Sequence, residues 1–359
     1  MTEPLDPQEE PKHPQDAQGL NPQPSQTEET GQEEGLEKMY QTPPAFQELK
    51  DAAEAMAQLI HSEVVGQRNI SQLMLTAILA DGHILLEGNP GVAKTLMGKL
   101  LAKSLDVSFG RIQFTPDLMP SDVLGTNIYH PERSAFDFHP GPIFAQVVLI
   151  DEINRAPAKT QAALFECMQE HQVSVDGTSY TLKRPFLVIA TQNPIEQEGT
   201  YRLPEAQLDR FLFKINVGYP NLSEEEEILT RVQERKRDMS ASFVEPLLNA
   251  EKIERLQALI REVKAEPSLL KHIAEITHAT RVNPNLMLGA SPRASLAMLQ
   301  AGKALAAIQG RDFLTPDDIH FVAFPILRHR VQLTPEREME GAQPDQIIRQ
   351  ILDSLEVPR

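Results

Sequence analysis

Cysteine is almost absent from this chain of 359 residues: Cys167 is the only one, which excludes an internal disulfide framework. Its helical surroundings, "ALFECMQ", predict a small buried hydrophobe and not a nucleophile. Tryptophan is missing and aromatics make up only 5% of residues, so the core is expected to be aliphatic. No apolar run approaches the roughly 18 residues of a membrane span, and the N-terminus lacks the basic-then-apolar order of a secretory signal. A cytoplasmic location is therefore expected, and the sequons at Asn69 and Asn221 are chance matches. Positive charge is also scarce. A formal net charge of -17 argues against a broad nucleic-acid-binding or anionic-membrane surface.

Much of that acidity is concentrated in residues 1–39, where ten acids face two lysines among abundant Pro, Gln and Glu. Such a segment has too few apolar residues to bury and is expected to be a disordered leader.

What the chain does have is the stretch "EGNPGVAKT", residues 87–95. It nearly matches G-x-x-x-x-G-K-[ST], whose backbone N–H groups surround phosphates while the lysine reaches β and γ oxygens and the hydroxyl meets Mg²⁺. Gly88, Gly91, Lys94 and Thr95 fit, but Ala93 stands where a glycine is standard. If that position already lies in the mouth of the next helix with a negative φ, alanine is the better residue there. The flanks are a short apolar strand, 83–87, and a helical pattern, 96–105. Gly88, Asn89, Pro90, Gly91, Val92, Ala93, Lys94, Thr95 and Leu96 thus form a candidate nucleotide-binding loop.

Helical patterns run from Pro44 to Ala80, and strands follow at α/β spacing over 111–115, 147–150, 186–190 and 213–217. This predicts an α/β, doubly wound parallel sheet over residues 40–220. Beyond Pro220 the strands are expected to stop, leaving a small all-α domain over 221–359. Ser291-Pro292 and Thr315-Pro316 each put a capping hydroxyl before a proline at the first helical position.

The strand "VVLIDE" ends in Asp151 and Glu152. In phosphate-loop hydrolases such a pair supplies a Mg²⁺ ligand, here Asp151 with Thr95, and a base that polarises the attacking water, here Glu152. The strand "PFLVIATQNP" places Asn193 at the sheet's carboxyl edge, where it can orient that water. Arg210, in "LPEAQLDRF", carries the group that best spreads over a transferring phosphoryl. The ten histidines show no closely spaced set, so no metal other than nucleotide-bound Mg²⁺ is expected.

Taken in order, "GNPGVAKT", "VVLIDEINRAP", "ATQNPIEQEGTYRLPEAQLDRF" and "GASPRASLAMLQAGKALA" closely resemble the MoxR family of AAA+ ATPases from about residue 45 to about 335. Alanine before the loop lysine is usual in that family, whereas Arg202 stands where a proline is common. The resemblance implies Walker A roles for Lys94 and Thr95 and Walker B roles for Asp151 and Glu152. It makes Asn193 sensor 1, Arg210 the arginine finger and Arg293 sensor 2, with Arg155 a second candidate for acting across an interface. Arg293 is placed in the first turn of a helix that would swing it onto the γ-phosphate. Residues 116–146 resemble the helix-2 insert, and "VSVDGTSYTL", 173–182, resembles the pre-sensor-1 hairpin. Both are candidate contacts for substrate or partner. The helical domain corresponds to the lid. ATP and Mg²⁺ as ligands, a homo-oligomeric ring, commonly a hexamer, and chaperone-like work on a protein complex beside a von Willebrand factor A domain protein are all implied. Two alternatives use the same pocket: a nucleic-acid-stimulated motor, and a nucleotide-gated scaffold with negligible turnover.

Deleting residues 1–39 is expected to leave both the melting temperature and the basal ATPase rate unchanged, because the leader buries little. A calorimetric scan in which the deletion melts many degrees lower would show instead that the leader docks on the body.

Overall fold

The computed structural model describes residues 44–66, 68–89, 91–194, 201, 203–234 and 246–358; the leader, Pro90 and Arg202 lie outside them. Helices α1 (Pro44–Glu63) and α2 (Arg68–Leu79) lead into strand β1 (Ile84–Gly88), the phosphate loop and helix α3 (Lys94–Ser104). Strand β2 (Phe109–Gln113) follows, then the segment matching the insert: α4 (Pro120–Leu124) and a hairpin of β3 (Gly125–His130) with β4 (Ala135–Pro140). Next come β5 (Val147–Asp151), α5 (Ala158–Glu170), a second hairpin of β6 (Gln172–Val175) and β7 (Thr178–Thr181), β8 (Leu187–Gln192), α6 (Glu205–Leu208) and β9 (Phe213–Val217). The second hairpin turns at Asp176 and Gly177, both with positive φ (49° and 81°), as the Asp-Gly pair demands.

Strands β9, β1, β8, β5 and β2 lie side by side in that order, and every pairing is parallel. Parallel sheets are covered on both faces, and their strands read as continuous apolar runs. β5 shows why: Val147 and Leu149 point into one core with α3 and the C-terminal helices, while Val148 and Ile150 point into the other with Leu164 and Phe165 of α5. Gly98 lets α3 lie close on the sheet, since a Cβ there would meet the Leu149 side chain at 3.1 Å.

His83, just before β1, is fully enclosed. Its Nδ1 accepts from the Val188 N–H and its Nε2 donates to the Met168 carbonyl, each at 3.1 Å, so one neutral tautomer joins the sheet to α5. Burial pulls its pKa down to about 4. Cys167 is buried as expected, and burial together with the Glu166 charge pushes its thiol up to about 12. It is no nucleophile at neutral pH.

After β9 the chain is helical: α7 (Leu222–Glu234), α8 (Ala250–Arg261), α9 (Pro267–Val282), α10 (Pro292–Ile308), α11 (Pro316–Leu327), α12 (Pro335–Met339) and α13 (Pro344–Ser354). Strands do not stop at Pro220, however. Leu248–Asn249 pairs in parallel with Leu105–Asp106, and Leu286–Leu288 pairs antiparallel with Gln332–Leu333. The first pair fastens α8 to the end of α3.

The two expected caps diverge. Thr315 accepts from the Asp318 N–H, and Asp318 returns a bond to the Thr315 N–H while Arg311 grips its carboxylate at 2.7 and 2.9 Å. Ser291 makes no side-chain cap bond; its α10 begins on Pro292, whose missing N–H needs no partner. Thr315→Ala is therefore expected to cost about 1–2 kcal/mol, and Ser291→Ala less than about 0.5 kcal/mol. Urea unfolding of the two variants measures the difference, and equal losses would contradict it.

Candidate nucleotide site

At the carboxyl edge of the sheet, β1, β8 and β5 end beside one another, and residues at or just beyond their ends surround a cavity of about 470 Å³. The loop after β1 supplies Gly91, Ala93, Lys94, Thr95 and Leu96; β5 supplies Asp151 and Glu152; β8 supplies Thr191 and Asn193. The sequence-predicted loop, acids and asparagine are brought together. Val92 serves differently, packing into the core.

Local backbone chemistry explains most of the loop. Gly88 cannot carry a Cβ, which would lie 2.3 Å from the Val217 carbonyl of β9. Gly91 takes φ +86°. Ala93 corrects the sequence expectation: its φ is +60° and ψ 20°, left-handed and not the mouth of the helix. The loop keeps the conformation that glycine usually supplies and holds an L-residue in it, at about 1–2 kcal/mol. Successive N–H groups around left-handed residues form an anion-binding concavity at the start of α3.

Lys94 Nζ donates to the Gly88 carbonyl at 2.5 Å and the Gln192 carbonyl at 3.2 Å, so the cation spans from loop to β8. Thr95 Oγ1 donates to Asp151 Oδ1 at 3.0 Å. Asp151 is 5% exposed. Its Oδ2 accepts from Arg111 Nε at 2.9 Å and pairs with Nη2 at 2.8 Å. Glu152 sits at φ +58°, its N–H donating to Thr191 Oγ1 at 3.0 Å. Its carboxylate accepts from Gln113 Nε2 at 3.0 Å and pairs with Arg155 Nε at 3.1 Å.

Arg111 and Gln113 are site residues that the sequence reading missed. They stand two apart on β2, hence on one face, and each reaches one acid of β5. The signal was present in "RIQF": a charged and an amide residue on alternate positions of a strand that ends at the ligand edge.

Arg210 and Arg293 do not line this cavity. Arg210 Nη1 donates to the Phe165 carbonyl at 3.2 Å and to Gln169 Oε1, both on α5, while its buried Nε finds no partner. Arg293 Nη1 is 3.6 Å from Asp209 Oδ2. Both line a second cavity of about 290 Å³, together with Asp209, Arg330 and residues Asp81 to His83. Those last residues precede β1, whereas the phosphate loop follows it. Five residues of strand, roughly 16 Å at strand rise, separate the levels of the two cavities. Arg155 is the arginine beside Glu152 in its own protomer.

Arg330, which also lines the second cavity, is buried, 8% exposed. Burial lowers its pKa from the usual range, opposed by the Asp209 charge 2.6 Å away. Its neighbour His329 donates from Nε2 to the Phe211 carbonyl at 3.0 Å and is held neutral by burial and by the Arg330 charge.

Comparison with known proteins bears on the family and the fold. Residues 83–213 match the model of the ATPase family associated with various cellular activities (AAA), and residues 278–351 match the AAA lid domain. The chain is 41% identical to chaperone MoxR1 of Mycobacterium tuberculosis, over 89% of this chain and 90% of the relative. It is 48% identical to the uncharacterized protein YeaC of Bacillus subtilis, over 83% and 92%. A crystal structure of a candidate ATPase from Cytophaga hutchinsonii superposes with a TM-score of 0.80 at 40% identity, covering 93% of this chain and all of that one.

Ala93→Gly removes the left-handed strain but adds freedom to the unfolded chain, worth about 0.4–1 kcal/mol in the other direction. A net gain of up to about 1 kcal/mol is expected from urea unfolding. A loss of that size would mean that packing of the Ala93 methyl outweighs the strain.

Proposed function

The chain belongs to the MoxR family of AAA+ ATPases, and from that premise we propose that it hydrolyses ATP within a head-to-tail homo-oligomeric ring, a hexamer, to remodel or activate a client protein complex in the cytoplasm. The observation that carries this reading is the placement of Lys94, Thr95, Asp151, Glu152 and Asn193 around one cavity, with Arg210 in another.

The triphosphate lies against the loop N–H groups and the positive end of α3. Lys94 exchanges its two carbonyl acceptors for β and γ oxygens, a gain because charge-assisted bonds to phosphate are the stronger. The Thr95 hydroxyl and the Asp151 carboxylate, 3.0 Å apart, are the hard oxygen donors suited to the Mg²⁺ that neutralises charge on the phosphates. Glu152 takes the proton of the attacking water, with Gln113 and Arg155 fixing its carboxylate beforehand, and Asn193 orients that water.

Arg210 serves the adjacent subunit. It lies at the level of the amino end of β1, and its arm is too short to reach its own loop at the other end. In a head-to-tail ring the amino-end face of one protomer meets the nucleotide cavity of the next. Arg293 shares the Arg210 cavity and pairs with Asp209, so it is offered across the same interface.

Client contact is assigned to the two hairpins, which are joined. Asn127 Nδ2 donates to Asp176 Oδ2 at 2.6 Å, and Phe138 stacks on Tyr180 with centroids 4.0 Å apart. Beyond that joint Tyr129 and Phe136 form an exposed cross-strand pair, Phe136 being 69% exposed. The chaperone name of the mycobacterial relative supports such a role. A protein carrying a von Willebrand factor A domain is the partner proposed.

Lys94→Ala is expected to weaken ATP binding, while Glu152→Gln and Arg210→Ala bind normally and turn over slowly, the last by on the order of 10³-fold or more. Mixing Glu152→Gln with Arg210→Ala under subunit exchange forms, by chance, about a quarter of interfaces with an intact base facing an intact arginine. ATPase activity is expected to return in the mixture, read by phosphate release. Exchange without recovery would place Arg210 outside the neighbour's site.

A further inference from the structure

Arg330 has five N–H groups and all five are used. Nε donates to Asp209 Oδ1 at 2.6 Å. Nη1 donates to the carbonyls of Leu212 (3.2 Å) and Ile326 (2.7 Å), and Nη2 to those of Asp209 (3.1 Å) and Phe211 (2.7 Å). Ile326 belongs to α11 in the region matching the lid; the other acceptors belong to residues 209–212, which contain Arg210. A single guanidinium from the lid therefore grips the backbone on both sides of Arg210. The Asp209 carboxylate also faces Arg293 on α10, through its second oxygen. No bond of this clamp goes to Arg210 itself, whose side chain rests on α5 with one N–H unmatched.

We infer that Arg330 and Asp209 are positioning residues for Arg210: they fix its backbone to the lid of its own subunit, so that lid position sets where the arginine is presented to the next subunit. The inference rests on Arg210 acting in trans, as proposed above. Its physical basis is the rigidity of the clamp. A planar fork with five matched acceptors, buried, has no second arrangement of similar energy, and leaving any acceptor unpaired there costs the desolvation of that group. Residues 209–212 are therefore tied to the lid through their carbonyls, while Phe211 packs against Phe165 of α5 and the Leu212 and Phe213 N–H groups, both directed to the His83 carbonyl at 2.8 and 3.3 Å, mark where the segment rejoins the sheet. A lid displacement thus pivots the segment about its junction with β1. The two arginines of the second cavity are carried together, since Asp209 connects them.

The test uses the full-length protein and two variants. Asp209→Asn keeps the shape and removes the charge shared by Arg330 and Arg293; Arg330→Lys keeps the charge and removes the fork. The Lys94 cavity is untouched in both. ATP affinity, measured with a fluorescent ATP analogue, is expected to stay within about twofold, while kcat falls on the order of 10²-fold, the loss typical of a misplaced catalytic group. The loss is also expected to be one-sided. Mixed with Glu152→Gln, whose Arg210 segment is intact, either variant regains activity; mixed with Arg210→Ala, neither does.

If Arg330→Lys does not fold, as judged by its melting curve, Asp209→Asn carries the same comparison. Parent-like kcat in either folded variant would overturn the inference. So would weakened ATP binding with no recovery in the Glu152→Gln mixture, since that is a damaged fold or pocket. The control mixture of Glu152→Gln with Arg210→Ala separates the two levels: recovery there without recovery of the new variants removes only the positioning role. Failure of the control removes the trans reading and this inference with it.

Discussion

The hydrogen bond from Thr95 to Asp151 joins the first turn of the phosphate-loop helix to the end of β5, two strands away from the strand that leads into the loop. It exists only if β1, β8 and β5 keep register. Ile84 pairs with Ile189 and Val147 with Leu187, which sets the ends of the three strands at one edge. Because β5 is buried on both faces, a slip by one residue inward would put Asp151 in the place of Ile150, in the apolar core beside Leu164 and Phe165. A buried carboxylate without partners costs several kcal/mol. Here Thr95 and Arg111 supply the donors. The aliphatic sheet thus fixes the chemistry by making every other register expensive.

The same strands also separate the chemistry into two places. β1 has the phosphate loop at its carboxyl end and His83 at its amino end, where the arginine cavity begins. One protomer holds the candidate phosphate site and, at the other end of the strand, Arg210, Arg293 and Arg330 with Asp209 and Asp81 among them. In the ring proposed above those two ends meet across the subunit boundary, and the lid takes part because Arg330 binds the backbone on both sides of Arg210. Communication between sites then needs no long pathway of side chains, only a rigid clamp and a pivot.

How much of this was legible in the sequence depended on how far each signal was local. Strands over 147–150 and 213–217, the loop at 88–96, and the Asp176-Gly177 turn were all readable, because apolar runs, a spaced lysine and a turn pair carry their own geometry. The Ala93 conformation was not. A residue beside a helix start looks helical until the loop's closure demands a left-handed backbone. Ser291 looked like a cap, yet hydroxyl chemistry gives no guarantee of the rotamer, and a proline at the first helical position lowers the need for one. Strands of two or three residues, such as Leu248–Asn249, are too short to show any period. Arg330 was invisible for another reason. In "LRHR", basic residues after a helix read as solvated complements to its dipole, and nothing in the sequence says that one of them is buried against residues 209–212.

The central claim is that the pocket built on Lys94 is completed by the arginine of the next subunit. A cryo-electron-microscopy structure of the Glu152→Gln ring with ATP and Mg²⁺ tests it most directly. The Arg210 guanidinium of one subunit is expected at hydrogen-bonding distance, about 3 Å, from the γ-phosphate held by its neighbour. A γ-phosphate met by an arginine of its own subunit, with Arg210 still resting on Phe165 and Gln169, would contradict it.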